Sequence, residues 1–458
     1  MKTTLVDIDL ETKPVGKLLL QYSIPAIIGT LSVSLCHLID RAFIGQGVGA
    51  FAISGLALTY PILLLTQAFG TLVGIGASSR ISIVLGMKDT PWAERILANS
   101  LFLTFLFWIL ITTFGLIFME PLLFAFGASE QTMPYAKEFL QIMLPATLFS
   151  NFTYGYGSMM RASGYPKKSM YASLIGVVLN LILAPIFIFG LNAGIKGAAW
   201  ATAISMFVSS GYVLHHFISK DSRVHFRRSA FKLKLYIIRN ITTIGLSPFL
   251  MHVAASAVAI VVNLVLRQHG GDLAIGAYAL VSAFALVFTM IVVGLCQGMQ
   301  PIVGYNFGAG KLKRMKDTLL LTIKIGMSVH TVGLLLAVLI PRLVIRLFTT
   351  EIELIDMASR GLFFMFLVAP LIGFQFVTAN FYQFINKPAL SITMSLCRQW
   401  GLFIPCLLIF SNRWGLDGVW YAIPVSDFLS VIIAFSVFLW QKRTFYPRKM
   451  RVKLPNNH

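Results

Sequence analysis

Twelve stretches of the chain are each apolar over about twenty residues or more, enough to cross the hydrocarbon core of a bilayer as a helix. They run at 18–44, 52–80, 93–119, 135–160, 168–190, 195–218, 235–266, 273–304, 316–340, 358–384, 388–410 and 416–441. Within a bilayer each backbone N–H and C=O must be bonded inside its own segment, so the pattern predicts an all-α polytopic membrane protein with twelve transmembrane helices. A single soluble core is excluded by composition. Hydrophobic residues make up 57% of the chain and charged residues 12%, where soluble chains carry about 25% charged. Several stretches exceed the minimum span, which predicts tilt or protrusion.

The formal charge of +20 is spread unevenly. Lys and Arg fall in alternate connections: Arg80, Lys88 and Arg95; Arg161, Lys167 and Lys168; Lys220 to Lys234; Lys311 to Lys316; and Lys442 to Lys453. The intervening connections hold scattered cases such as Lys196, Arg267 and Arg413. This asymmetry predicts that the basic connections and both termini are cytoplasmic. It also accounts for the charge without nucleic acid. The segment Met1 to Lys17 carries three acids and lacks a cleavable signal pattern, so the first span is expected to be retained.

The basic connection 219–234 divides the chain into an N-terminal six-helix bundle, 1–218, and a C-terminal one, 235–458. The two repeat each other. A shift of 222 residues lays Gly49, Ala52, Ile53, Ala57 and Leu58 on Gly271, Ala274, Ile275, Ala279 and Leu280. The same shift lays Gly76 and Gly86 on Gly298 and Gly308, and Pro166 and Ser169 on Pro388 and Ser391. After a one-residue slip, Gly194, Gly197 and Trp200 answer Gly415, Gly418 and Trp420 with its neighbours. With six helices per half, both copies enter from the same side. They are parallel repeats, the layout of secondary transporters that rock about a midplane site.

Asp40 stands out within the first apolar stretch. A charge at bilayer depth costs about 2.5–3.5 kcal/mol on insertion scales, and nearly all the other acids fall in tails, loops or segment ends. A carboxyl there suits a coupling role, because burial and a nearby cation move its proton affinity in opposite directions. A structural pair with Arg41 is the bland alternative. His37, three residues earlier on the same helix face, could hold the carboxylate, relay protons or simply satisfy a hydrogen bond. Pro25 removes a backbone hydrogen bond and permits a bend, and Pro248 lies near the matching place in the seventh stretch. Arg161 is expected to snorkel to the surface, and Arg398 to pair inside the bundle, with Asp427 its candidate partner.

Several ordered fragments then carry a family likeness. Asp40-Arg-Ala-Phe-Ile-Gly45 is followed by Ala57-Leu-Thr-Tyr-Pro61, and Arg161-Ala-Ser-Gly164-Tyr-Pro166 leads into Asn180-Leu-Ile-Leu-Ala-Pro185. The second half adds Gln297-Gly-Met-Gln300-Pro301-Ile-Val-Gly-Tyr305-Asn306-Phe-Gly308. Over nearly its whole length the chain resembles the multidrug and toxic compound extrusion (MATE) family. The resemblance implies a bacterial inner-membrane antiporter that exports cationic or amphiphilic organic compounds, driven by protons or sodium ions, with no cofactor. It implies coupling roles for Asp40, Asn180 and Thr202, joined here by His37, and bending at Pro25. Pro248 and Pro301 are taken with Pro25 as gating kinks. Gln300, Tyr305, Asn306 and Arg398 are read as polar residues of the cavity. The family commonly has an Asp four residues after the Asn, where this chain has Ala184. One carboxylate makes a sodium site harder to build, so proton coupling fits more easily.

Other classes find little support. There is no Walker-type phosphate loop and no HExxH helix. The four cysteines lie in apolar stretches at no metal spacing and read as packing residues, without disulfides or metal. A flippase for lipid-linked saccharides is the nearest alternative and would need Arg398 in the pore. A membrane enzyme or scaffold is the second. The expected partners are small amphiphilic molecules and the lipid bilayer, with the protein a monomer.

Overall fold

A computed structural model describes residues 10–126, 128–346, 348 and 351–441. The first nine residues and the basic run Lys442 to Lys453 lie outside the described residues. The long helices are α1 Val15–Gly47, α2 Ala50–Gly86, α3 Thr90–Ile117, α4 133–162, α5 Pro166–Gly190 and α6 Gly194–Ile218. The second half follows with α7 Leu235–Gly271, α8 Leu273–Gly308, α9 Leu312–Leu339, α10 352–384, α11 388–414 and α12 416–440.

Among the described residues nine helices meet the length and apolarity needed to cross a membrane, and a bent pair makes a tenth. That pair is α10, which turns by 51° between Leu367 and Ala369. The run Pro388–Trp440 reverses at Gly415 and so holds both α11 and α12. α4 is interrupted by a π turn, Phe152–Tyr156. These breaks reconcile the count with the twelve stretches read from sequence.

The repeat is visible in the backbone. Positive φ angles occur in matched turns: Gly49 and Gly271 (113° and 62°), Lys88 and Gly310 (63° and 71°), Gly164 and Asn386 (105° and 62°), and Gly194 and Gly415 (56° and 57°). Pro166 and Pro388 both open helices, where the missing N–H costs nothing. Even the short helices Met119–Ala125 and Pro341–Arg346 start at matched positions.

One apolar core spans both halves, holding Leu18, Tyr22 and Leu85 together with Leu295, Met299 and Tyr382. Among the described residues the other four cores each belong to one half alone. The shared core lies toward the ends that carry the basic connections, and the separate cores toward the opposite ends. The halves are therefore joined at the basic face and part from each other away from it.

Their joint follows the two-fold relation between the repeats. A Cβ on Gly86 would run into the Tyr305 carbonyl oxygen, and one on Gly308 into the Ile83 carbonyl oxygen. Ile83 and Tyr305 are themselves a matched pair, so each half offers the same glycine to the same backbone. The connection 219–234 is fastened to α3. Asn99 Nδ2 donates to the Lys232 carbonyl at 3.2 Å, Lys234 N donates to Asn99 Oδ1 at 3.1 Å, and Arg227 pairs with Glu94 at 3.1 Å.

Candidate functional site

Three helices of the first half meet in a polar cluster one helical turn from Asp40. Asn180 on α5, buried, donates through Nδ2 to Thr202 Oγ1 on α6 at 3.0 Å. The Thr202 hydroxyl in turn donates to the Ala198 carbonyl at 3.0 Å, which fixes its lone pairs toward the amide. Cys36 Sγ on α1 meets Asn180 Oδ1 at 3.5 Å. Asp40 follows Cys36 by one helical turn, so the two share a face of α1. Asp40 Oδ1 is buried and has no hydrogen-bond partner among the described residues.

The Arg41 guanidinium lies over the Tyr60 ring, 5.8 Å from its centre, so it is engaged away from the carboxylate. The structural Asp40–Arg41 pair is thereby set aside. His37 is exposed and makes no hydrogen bond among the described residues, which removes the reading of it as a satisfied core histidine. Ala184 is buried in an apolar cluster with Ile44, Phe139 and Ile188, so no oxygen stands where the second acid would be. The arrangement is one carboxylate with a free oxygen, beside an amide, a hydroxyl and a thiol. Such a site can take up a proton or a small cation.

The polar residues expected to line the cavity sit elsewhere. Gln300 is 3% exposed and donates to Ser78 Oγ at 2.8 Å and Ser79 Oγ at 2.9 Å, across the joint between halves. Tyr305 and Asn306 are fully buried at the basic end of the same joint. The Tyr305 hydroxyl donates to Glu11 Oε1 at 2.9 Å, and Asn306 Nδ2 donates to the Ile302 carbonyl at 2.8 Å. In this state all three belong to the closure, because matched glycines bring α2 and α8 too close to leave an open wall there.

Glu11 is the centre of that closure. It accepts from Lys311 Nζ at 2.8 Å and faces Lys88 at 3.7 Å, so one carboxylate touches both halves. Arg314 reinforces it by donating to the Leu10 and Lys13 carbonyls at 3.1 and 2.7 Å. The hydrogen bond and charge of Lys311, with the Tyr305 hydroxyl and Lys88, hold the Glu11 carboxyl below its ordinary range.

The prolines occupy contact points. Pro25 lies between Ser23, whose hydroxyl donates to the Leu295 carbonyl at 3.4 Å, and Ile27, which packs on Gly294. A change in the bend of α1 would therefore act directly on α8. Pro248 follows Ser247, which shares a 2.8 Å hydrogen bond with Ser391, and Pro301 follows Gln300.

The two arginines divide. Arg398 Nε lies 3.5 Å from Asp427 Oδ1, the expected pair. Arg161 does not snorkel. It is 8% exposed and donates to Ser169 Oγ and Ser158 Oγ, both at 2.7 Å. Hydroxyls three residues before and eight after it offer an internal alternative to water. Among the described residues no group of three or more His, Cys, Asp or Glu gathers as a metal site.

Sequence reasoning missed Cys36, Ser78, Ser79 and Glu11. The spacing of Cys36 to Asp40 could have revealed the first. Nothing local marks Glu11, whose hydrogen-bond partners Tyr305 and Lys311 lie about 300 residues away.

With this geometry in view, the chain can be set beside known proteins. The MatE family profile matches it twice, at residues 25–186 and 248–409, once in each half. It is 28% identical over 431 residues to the multidrug export protein MepA of Staphylococcus haemolyticus, covering 93% of this chain and 95% of that one. The MepA of Staphylococcus aureus (strain MSSA476) is also 28% identical, over 427 residues, with 93% and 94% coverage. Among solved structures, an outward-facing MATE family transporter of the MOP superfamily superposes with a TM-score of 0.90 at 24% identity, covering 97% of this chain and 99% of that one. A MOP superfamily transporter from Pyrococcus furiosus gives the same TM-score, identity and coverage. A MATE crystal structure in the bent conformation gives 0.90, at 24% identity over 97% and 98%. At that identity the structures share the fold.

Proposed function

Taking as premise that this chain belongs to the MatE family, we propose that it is a secondary antiporter exporting cationic or amphiphilic organic compounds in exchange for protons. It is a multi-pass membrane transporter rather than an enzyme. The observation that carries the coupling is the buried, unpartnered Asp40 Oδ1 beside the Asn180–Thr202–Cys36 cluster. A carboxylate left without a donor or counter-ion at bilayer depth is costly, and a proton is the smallest group that relieves it.

The cycle then has a physical order. With the basic face closed and the far ends parted, substrate leaves from the separated side, and Asp40 takes a proton there. Neutral Asp40 no longer carries the desolvation cost of a charge among apolar neighbours, so α1 can bend at Pro25 and loosen its contacts with α8. The closure at Glu11 opens on the cytoplasmic face, where the proton is released and a new cation is bound. The buried, apolar surroundings of Ala184 favour a proton over sodium, which would want several oxygen ligands. The expected location is the bacterial inner membrane with cytoplasmic termini. The relatives named multidrug export proteins support the substrate class.

The test uses purified protein in liposomes with a fluorescent cationic dye and imposed gradients. Dye movement under a proton gradient alone, absent under sodium alone, is the expected result. Movement under sodium alone overturns the coupling ion, and no movement under either overturns the exporter reading.

A further inference from the structure

The second half holds a charged site of its own. Arg398 sits in the π segment Cys397–Phe403 of α11 and Asp427 on α12. The shift of 222 lays Gly176 on Arg398, and the slipped register lays Met206 on Asp427. Gly176 and Met206 flank the Asn180–Thr202 contact by one helical turn on the basic side. The ion pair therefore sits one turn to the basic side of the second-half counterpart of the Asn180–Thr202 contact, at positions where the first half has Gly176 and Met206.

The pair is loosely made. It joins Nε to Oδ1 at 3.5 Å, and the Arg398 side chain is 34% exposed. A guanidinium–carboxylate pair at full strength is bidentate, at about 2.7–2.9 Å. The two terminal nitrogens of Arg398 have no hydrogen-bond partner among the described residues. The surroundings are internal to the second half: Phe403 of the same π segment packs in an apolar core with Ala277 and Val281 of α8. Gln399 Oε1 next to Arg398 is buried without a partner.

We propose that the Arg398–Asp427 pair between α11 and α12 is a binding subsite for a carboxylate, in which Arg398 offers its free guanidinium edge to the anionic end of a zwitterionic amphiphile while Asp427 steadies Nε. The fork geometry matches a planar carboxylate, and a lysine could not present it. Asp427 neutralises the site at rest and acts as an internal competitor for the arginine. The subsite rests on the exporter reading above. It adds that the two halves divide the charges, the first handling the proton and the second the anionic group of the substrate.

The experiment compares binding of a fluoroquinolone zwitterion and its decarboxylated analogue to purified full-length protein, followed by their fluorescence. Wild type is expected to favour the carboxylate form at least about tenfold. Arg398→Gln should erase that preference, and Asp427→Asn should keep or raise it by removing the competitor. Equal binding of both compounds by wild type overturns the subsite, as does a preference that survives in Arg398→Gln. Should Arg398→Gln fail to fold, Asp427→Asn decides alone: loss of the preference there marks a purely structural pair. Gradient-driven movement of tetraphenylphosphonium by the wild type, measured in parallel, reports separately on the exporter reading.

Discussion

Glu11 Oε2 accepts a hydrogen bond from Lys311 Nζ at 2.8 Å, tying the chain ahead of α1 to the start of α9. Through Lys88 the same carboxylate reaches the end of α2, so it fastens the basic face on both sides of the joint. Its lowered pKa gives the sign of its pH dependence. A depressed carboxyl contributes its full share of closure above the ordinary carboxylate range, and loses it as pH falls through the lowered value. At neutral pH the latch is engaged.

Glu11→Gln should therefore weaken the closure by about 1 kcal/mol, as expected of a partly exposed ion pair. That is roughly a fivefold rise in the population open at the basic face. Spin labels at the exposed positions Lys167 and Lys313 would report it as a longer distance at neutral pH, with wild type approaching the variant only in acid. An unchanged distribution would show that the latch is ornamental.

Gly86→Val tests the backbone contact beneath the latch. The added side chain would meet the Tyr305 carbonyl, which belongs to a helix and cannot swing aside. Overpacking of this kind costs about 1–3 kcal/mol, so transport should fall about tenfold or more while the protein still folds. The same labels should show the basic face held apart. Gly308→Val should repeat the effect, since it meets Ile83 in the matching place.

Thr202→Val leaves Asn180 Nδ2 without its acceptor inside the first half. A buried donor stranded in this way costs about 1–3 kcal/mol. Gradient-driven efflux should drop several-fold, and Thr202→Ser should restore it. Efflux assays on the pair of variants separate hydroxyl loss from loss of volume.

Ala184→Asp would place a second carboxylate beside the cluster. The melting temperature of that variant should rise with added sodium chloride and not with an equal concentration of choline chloride, whereas wild type should show no such difference. A sodium response already present in wild type would contradict proton coupling.

Much of this was legible in the sequence because the decisive signals were local or periodic. Twelve apolar stretches, the 222-residue shift and the lone acid at Asp40 all follow from spacing. Asn180 and Thr202 came through family likeness, and the structure places them 3.0 Å apart. Gln300, Tyr305 and Asn306 were read as cavity lining because polarity beside Pro301 looks the same whether it faces a cleft or a neighbouring helix. Only the packing of α2 on α8 distinguishes the two. Arg161 misled for a similar reason: its acceptors, Ser158 and Ser169, are unremarkable until α4 and α5 are set side by side. The latch at Glu11 depends on contacts across the whole chain, which no window of sequence contains.

The exchange of substrate for a proton at Asp40 can be observed without a membrane. Purified protein in weak buffer, mixed with a permanent organic cation, should release about one proton per molecule bound, since binding and proton affinity must be reciprocally linked. Asp40→Asn should bind or refuse the cation without any proton release. Equal proton release from wild type and Asp40→Asn would place the exchange on another group and contradict the role assigned to Asp40.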